Sequence, residues 1–281
     1  MYDAASQSEI TLHQRAVGAL RVSVRVRDGV TALENLRQAG CLKARFPRPL
    51  TPGWVDVVTL NTSGGVAGGD RLETALAVRE GARASFSAQA AERFYRALPG
   101  SAPAFIRTEI SVEKDAFAEW LPQETILFDS CALDRALDVS LAKDAHFLGM
   151  ETLVFGRGAM GERVHQAMIT DHVRIRRENR PLLHDAVRLR GAVDQILARP
   201  AVANGARVVA TLYYVAPDAA ARLDAVRVAL AAPDVVAGAS LWDGMLVVRM
   251  LGAESLGVRR VAMDILAVLR PGRAVPRTWL C

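Results

Sequence analysis

Five acidic residues mark where chemistry could sit. Asp70 directly follows a run of glycines, Glu124 and Asp129 share one short block, and Asp144 and Glu162 lie further on. Two carboxylates converging in one cleft, one of them with a raised pKa, could run glycosidase-like hydrolysis. Asp70 and Glu124 are the pair such a β-rich hydrolase would use. Solvated turn acids are the ordinary alternative. Other catalytic patterns fail on context. Ser63 precedes Gly64 without the Gly-x-Ser-x-Gly frame of a nucleophile elbow. Cys131 follows Ser130 with no histidine or other base nearby in sequence. The cysteines (Cys41, Cys131, Cys281) and histidines (His13, His146, His165, His172, His184) are dispersed. No Cys-x-x-Cys or His-x-x-x-His pair occurs, so neither a disulfide framework nor a local metal site is expected.

Asp70 belongs to the stretch Val57-Val58-Thr59-Leu60-Asn61-Thr62-Ser63-Gly64-Gly65-Val66-Ala67-Gly68-Gly69-Asp70-Arg71-Leu72. A β-branched run enters it, and Leu72, Thr74, Leu76 and Val78 leave it at period two. The pattern predicts strand, glycine loop, strand. Paired glycines admit positive φ and close backbone approach. A phosphate cradle is excluded by the details: no Lys-Ser/Thr follows the last glycine, Asp70 would repel phosphate, and no helix follows. Asp70 has three possible roles. It could line a cation path, accept hydrogen bonds from the loop's own amides, or face water.

The elements that must position these residues read mainly as strands. Val22, Val24 and Val26 alternate up to a turn at Asp28-Gly29. Trp54 to Leu60 reads as a strand buried on both faces. Leu72 to Val78 turns at Glu80-Gly81 into Arg83 to Gln89, and Ala90 to Leu98 reads as short helical or irregular chain. Ile106 to Val112 is expected to pair with Phe117 to Leu121 through the turn Glu113-Lys114-Asp115, and Pro122 ends the second strand. Leu133 to Leu141 keeps period two. Val164 to Arg176 and Leu182 to Leu189 flank Glu178-Asn179 as a hairpin, with a short helix over Gly191 to Ala198. The last third adds a strand, Val208 to Val215, and a helix capped by Asp218 and running to about Ala231. A hairpin at Asp243-Gly244 follows. Ser255 then caps a second helix, which stops at Pro271-Gly272. No internal sequence repeat is visible.

Composition narrows the class. With 281 residues, 51% of them hydrophobic, the chain can bury a large core. No apolar run reaches membrane-span length, and the start lacks a basic-then-apolar leader pattern, so a cytoplasmic protein with no membrane partner is expected. The net charge is +5, and only three of the 35 basic residues are lysine. Arg174, Arg176, Arg177 and Arg180 cluster without interleaved aromatics, which argues against nucleic acid. The arginine bias is either compositional or serves interfaces, where planar guanidinium forks pair with carboxylates.

The glycine loop Asn61-Thr62-Ser63-Gly64-Gly65-Val66-Ala67-Gly68-Gly69-Asp70-Arg71-Leu72 resembles the signature loop of the urease accessory protein UreD (UreH) family. Three further blocks resemble the family in order. They are Gln89-Ala90-Ala91-Glu92-Arg93-Phe94-Tyr95-Arg96, the block from Trp120 and Pro122 through Glu124 to Asp129, and Phe155-Gly156-Arg157-Gly158-Ala159-Met160-Gly161-Glu162-Arg163. The tail Val275-Pro276-Arg277-Thr278-Trp279 is also similar. Together these segments span nearly the whole chain.

The resemblance implies a mainly β fold, a superhelical stack of β-strands with two α-helices in the C-terminal third. The whole chain, 1–281, would form one such unit, with a β-rich body over about 1–200 and a mixed part over about 201–281. It also implies a non-catalytic scaffold that binds the urease apoprotein, a UreF-like accessory protein and, through the complex, a UreG-like GTPase. Such proteins guide nickel toward the urease metallocentre. No tightly bound cofactor is expected, only transient Ni2+. Asp70, Glu124, Asp129, Asp144 and Glu162 are then candidates for a nickel passage. For Asp70 the resemblance favours the cation path over the loop-acceptor role.

Overall fold

The computed structural model describes residues 14–280; the opening segment 1–7, His13 and Cys281 lie outside them. The described chain starts with a long hairpin, β1 (Val17–Arg27) and β2 (Val30–Gly40), and a short β3 (Leu42–Arg45). It then alternates between two stacked sheets. β4 (Val55–Asn61), β6 (Arg83–Ala88), β9 (Phe117–Leu121) and β12 (His146–Phe155) lie parallel in one sheet. β5 (Arg71–Val78), β8 (Ala104–Val112), β11 (Ala132–Leu141) and β13 (Gln166–Arg177) lie parallel in the other, beside β1. Two three-residue strands, β7 (Glu92–Phe94) and β10 (Thr125–Leu127), sit in the connections. Each circuit advances the coil by one strand, so the chain winds as a superhelix of strands.

A hairpin closes the coil: β13 pairs with β14 (Arg180–Ala192), followed by the one-turn helix α1 (Val193–Leu197). β15 (Val208–Val215), helix α2 (Ala219–Ala229), β16 (Val235–Trp242), β17 (Met245–Gly252) and helix α3 (Ser255–Leu269) complete the chain. The sheets are seven strands (β14-β13-β11-β8-β5-β1-β2) and ten strands (β16-β17-β15-β12-β9-β6-β4-β3, with β10 and β7 alongside). One core cluster fills the space between the sheets. A second lies between the ten-stranded sheet and the two long helices.

Two expected hairpins prove to be corners. Leu72 to Val78 does not pair with Arg83 to Gln89, nor Ile106 to Val112 with Phe117 to Leu121; in each case the chain passes to the other sheet. The corners are alike: Arg79-Glu80-Gly81-Ala82, Glu113-Lys114-Asp115-Ala116 and Ala142-Lys143-Asp144-Ala145. In each, the last amide donates to the first carbonyl, at 2.9, 3.2 and 3.2 Å. The closing alanines are buried. The first amide of each corner donates one coil back, to Val24, Val78 and Val112, each at 2.9 Å. The fold is thus repetitive where the sequence shows no repeat, because only the four-residue corners are alike from one coil to the next.

Smaller corrections follow from packing. β4 is half-buried except at Val57, because its second half faces a cavity rather than side chains. Ala90 to Leu98 is irregular around β7 and contains no helix. The Asp218 carboxylate does not cap α2; it accepts from the Tyr214 hydroxyl at 2.7 Å and from Arg222 Nε at 2.8 Å.

A buried charge cluster fastens the C-terminal segment to β9. Glu119 is fully buried and accepts from Arg270 (2.9 and 3.0 Å) and Arg273 (2.6 and 3.0 Å). The Trp279 indole donates to the Leu121 carbonyl at 3.0 Å, and Gln123 donates to the Thr278 carbonyl. Removing the Glu119 charge leaves two guanidinium groups without a counter-ion, one of them Arg270 at 4% exposure. Loss of one partner of a buried pair typically costs about 3–5 kcal/mol. Glu119→Gln is expected to lose stability of that order in urea unfolding; an unchanged midpoint would refute the clamp.

Candidate functional site: the cavity between the sheets

The parallel winding puts every short corner at one end of the coil and every long connection at the other. The long connections run β4 to β5, β6 to β8, β9 to β11 and β12 to β13. These are the four blocks that carry the family resemblance, stacked in order. Val66 N donates to Arg93 O at 2.7 Å and Tyr95 N to Val66 O at 2.8 Å. Phe128 N reaches Phe94 O at 3.0 Å, and Gly156 N reaches Leu127 O at 2.8 Å. Side chains continue the ladder. Tyr95 meets Phe128 edge-on at 5.1 Å, and the Arg157 guanidinium lies 4.4 Å over the Phe128 ring.

Behind this end lies a cavity of about 360 Å3 between the sheets. Asn61, Gly64, Gly65, Gln89, Trp120 and Pro122 line it, together with Glu92, Thr125, Arg135 and Glu151. Gly65 has φ +142°, and a Cβ there would stand 2.4 Å from the Tyr95 ring and 2.9 Å from Arg93 O. Only glycine lets the first connection lie against the second. The Tyr95 hydroxyl donates to Gly64 O at 2.8 Å, and Ser63 Oγ lies 2.6 Å from Asn61 Oδ1.

Two carboxylates face the cavity. Asn61 Nδ2 lies 3.2 Å from both oxygens of Glu92. Burial pushes the Glu92 carboxyl up to about 7, against the lowering pull of the Asn61 bond and with a further raising contribution from the charge of Asp70. Glu151 sits deeper, bound by Arg135 Nη1 at 2.6 Å and by the Trp120 indole N–H at 2.6 Å. Arg135 also holds Asp171 through Nε (2.9 Å) and Nη2 (2.6 Å), and it reaches Thr125 Oγ1 at 3.0 Å. Burial holds the Glu151 pKa above its ordinary value despite the neighbouring Arg135.

The five acids singled out in the sequence do not gather in the cavity. Asp70 is buried, and its oxygens accept from Ala16 N (2.8 Å) and Ala67 N (2.7 Å). One of these amides, Ala67, is the loop's own, as the loop-acceptor role expects, and the other leads into β1; Gly68 and Gly69 belong to the same turn. Glu124 pairs with Arg259 at 2.9 Å on the helix side. Asp129 accepts from His165 N and Gln166 N, at 2.7 and 2.9 Å. Asp144 is exposed at the third corner. Glu162 pairs with Arg157 at 2.6 Å, in a turn where Gly156 (φ +86°) and Gly161 (φ +69°) take left-handed backbone. Asp70 and Glu124 share no cavity among the described residues, so the hydrolase pair has no cleft. Among those residues no group of three or more metal-ligating side chains converges either.

Sequence reasoning missed Glu92, Arg135, Glu151 and Asp171. Two of them carried a readable signal. Arg135 lies between Leu133 and Leu137, and Asp171 between Ile169 and Val173, at inward positions of period-two strands. A charge at an inward position needs a buried partner.

Asp70→Ala removes the carboxylate that accepts from two backbone N–H groups and is expected to lose about 1–3 kcal/mol in thermal unfolding, with Asp70→Asn losing less. An unchanged Tm for both would make Asp70 a plain surface turn. Glu92 predicts a pH effect. With its folded pKa raised from 4.5 to about 7, the native state keeps a proton that the unfolded state releases. Stability therefore falls as pH rises through that window, by up to about 3 kcal/mol. Glu92→Gln should gain on the wild type from pH 5 to 8; parallel curves would refute the assignment.

Comparison with known proteins gives the family. Residues 16–280 match the family described as UreD urease accessory protein. The chain is 42% identical to the urease accessory protein UreD of Xanthobacter autotrophicus, over 98% of this chain and 93% of that one. It is 40% identical to that of Rhizobium leguminosarum bv. trifolii (96% and 97%) and 43% identical to UreD 2 of Methylorubrum populi (98% and 94%). These relatives are accessory factors of urease, not enzymes in their own right. No helix among the described residues is long and apolar enough to cross a membrane. On a match of this extent, the chain belongs to the UreD family of urease accessory proteins.

Proposed function

We propose that the chain is a cytoplasmic, non-catalytic scaffold for urease maturation, working as one unit over 1–281. It binds the urease apoprotein and a UreF-like protein, reaches a UreG-like GTPase through that complex, and passes nickel toward the urease metallocentre. The cavity between the sheets is the passage. The observation that carries this reading is the cavity itself, which the family-matching connections close and into which the Glu92 carboxylate faces at the glycine-loop end. Nickel binding to this carboxylate would release its proton to solvent, and on nickel release the carboxylate would take a proton back from water.

The rest of the lining suits transit. Threonine hydroxyls, glutamine carbonyls and water are weak oxygen ligands, which release a borderline cation more readily than a thiolate or imidazole cage. Deeper in, the Arg135 guanidinium is paired with both Glu151 and Asp171, so it is not a free positive charge in the wall.

The test is complementation of a strain lacking this chain. Glu92→Gln should leave urease subunit levels and complex assembly unchanged. At limiting nickel it should lower urease activation by about tenfold, the low end for a lost metal-site group, with recovery at excess nickel. Normal activation across all nickel concentrations would overturn the passage.

A further inference from the structure

The two outer faces of the coil differ. Helices α2 and α3 cover that of the ten-stranded sheet, whereas no element covers that of the seven-stranded sheet among the described residues. A groove of about 780 Å3 runs across the bare face. Register fixes its layout. Ser23, Ala77, Ser111, Ser140 and Arg176 stand side by side in one row. Arg37, Arg21, Ala75, Glu109, Asp138 and Arg174 form the next. The floor is therefore small side chains, and the rims are arginines.

Charge on this face is unbalanced. Arg174 is neutralised by Asp138 at 2.6 Å. Arg21 and Arg37 on one rim and Arg176 on the other have no hydrogen-bond or ion-pair partner among the described residues. Glu109, on the floor, has none either. Four inter-strand steps separate β1 from β13, so the rims stand about 19 Å apart. One small anion cannot bridge that gap. The floor strands are interior to the sheet with their backbone bonds made, so an added strand has no edge to join. Floor acids and the lack of aromatics on the floor disfavour nucleic acid. An α-helix fits: it is about 10 Å across, brings its own backbone bonds, and two turns of it fill roughly this volume.

We infer that the uncovered face docks an α-helix of a protein partner, one with small residues facing the floor, acidic residues on both flanks and a cationic or hydroxyl group over Glu109. The inference stands apart from the nickel passage and uses the maturation reading only to choose one probe.

The test uses the full chain and the charge-reversed Arg37→Glu/Arg176→Glu variant, with Arg260→Glu on α3 as the control. The first probe is a synthetic helical peptide of alanine flanked by glutamates, followed by fluorescence anisotropy. Wild type and control are expected to bind alike, with the double variant at least tenfold weaker. No binding by the wild type, or equal weakening by the control, would overturn the inference. The second probe is the urease apoprotein. If the wild type captures it and the double variant does so equally well, the docking face is refuted while the maturation reading stands. If the wild type does not capture it, the maturation reading fails and the peptide result decides the groove.

Discussion

A parallel strand cannot return to its neighbour through a tight turn; the chain must first travel back along the strand's length. Many folds use a helix for that return. This chain uses a strand of a second sheet, and the rest of the architecture follows from that choice. Every crossover in one direction can be a four-residue corner, and every crossover in the other direction is long. The corners are held by the preceding coil, since their leading amides donate to Val24, Val78 and Val112. They also end in buried alanines. The long connections have no such constraint, so the irregular backbone of the molecule collects at that end.

The same constraint explains the cavity. Two sheets wound by one chain stay close at the corners, where Ala82, Ala116 and Ala145 pack tightly. At the other end the connections must close over whatever side chains the strands place inside. Here the coil encloses Arg135, Glu151 and Asp171, which an apolar core cannot accept unpaired. Their mutual bonds, with Trp120 and Thr125 completing the set, keep a polar pocket open where leucines would have filled it.

Much of this was legible in the sequence. Strand periodicity gave most elements, the late helices, and the Glu178-Asn179 and Asp243-Gly244 hairpins. The partners of the strands were not legible. Glu80-Gly81 and Glu113-Lys114-Asp115 have hairpin chemistry, and only the other sheet, remote in sequence, turns them into corners. The site was half legible. Resemblance picked out Asn61, Gly64, Gly65, Gln89, Trp120 and Pro122, which line the cavity. It did not distinguish a carboxylate that faces a cavity from one that holds a loop, because both stand in the same blocks.

That distinction decides what an acid here can do. A carboxylate whose oxygens accept backbone N–H groups cannot coordinate a cation without releasing a bond that shapes the chain. Asp70 and Asp129 are in that position, and Glu124 and Glu162 are bound by arginines. Glu92 differs. It accepts from the Asn61 side-chain amide and from the Arg93 backbone, and it faces the cavity rather than the inside of a turn. Its pKa is raised because burial outweighs the bonds from Asn61 and Arg93 that favour its charge. A cation entering the cavity would offset the desolvation that burial imposes on this carboxylate.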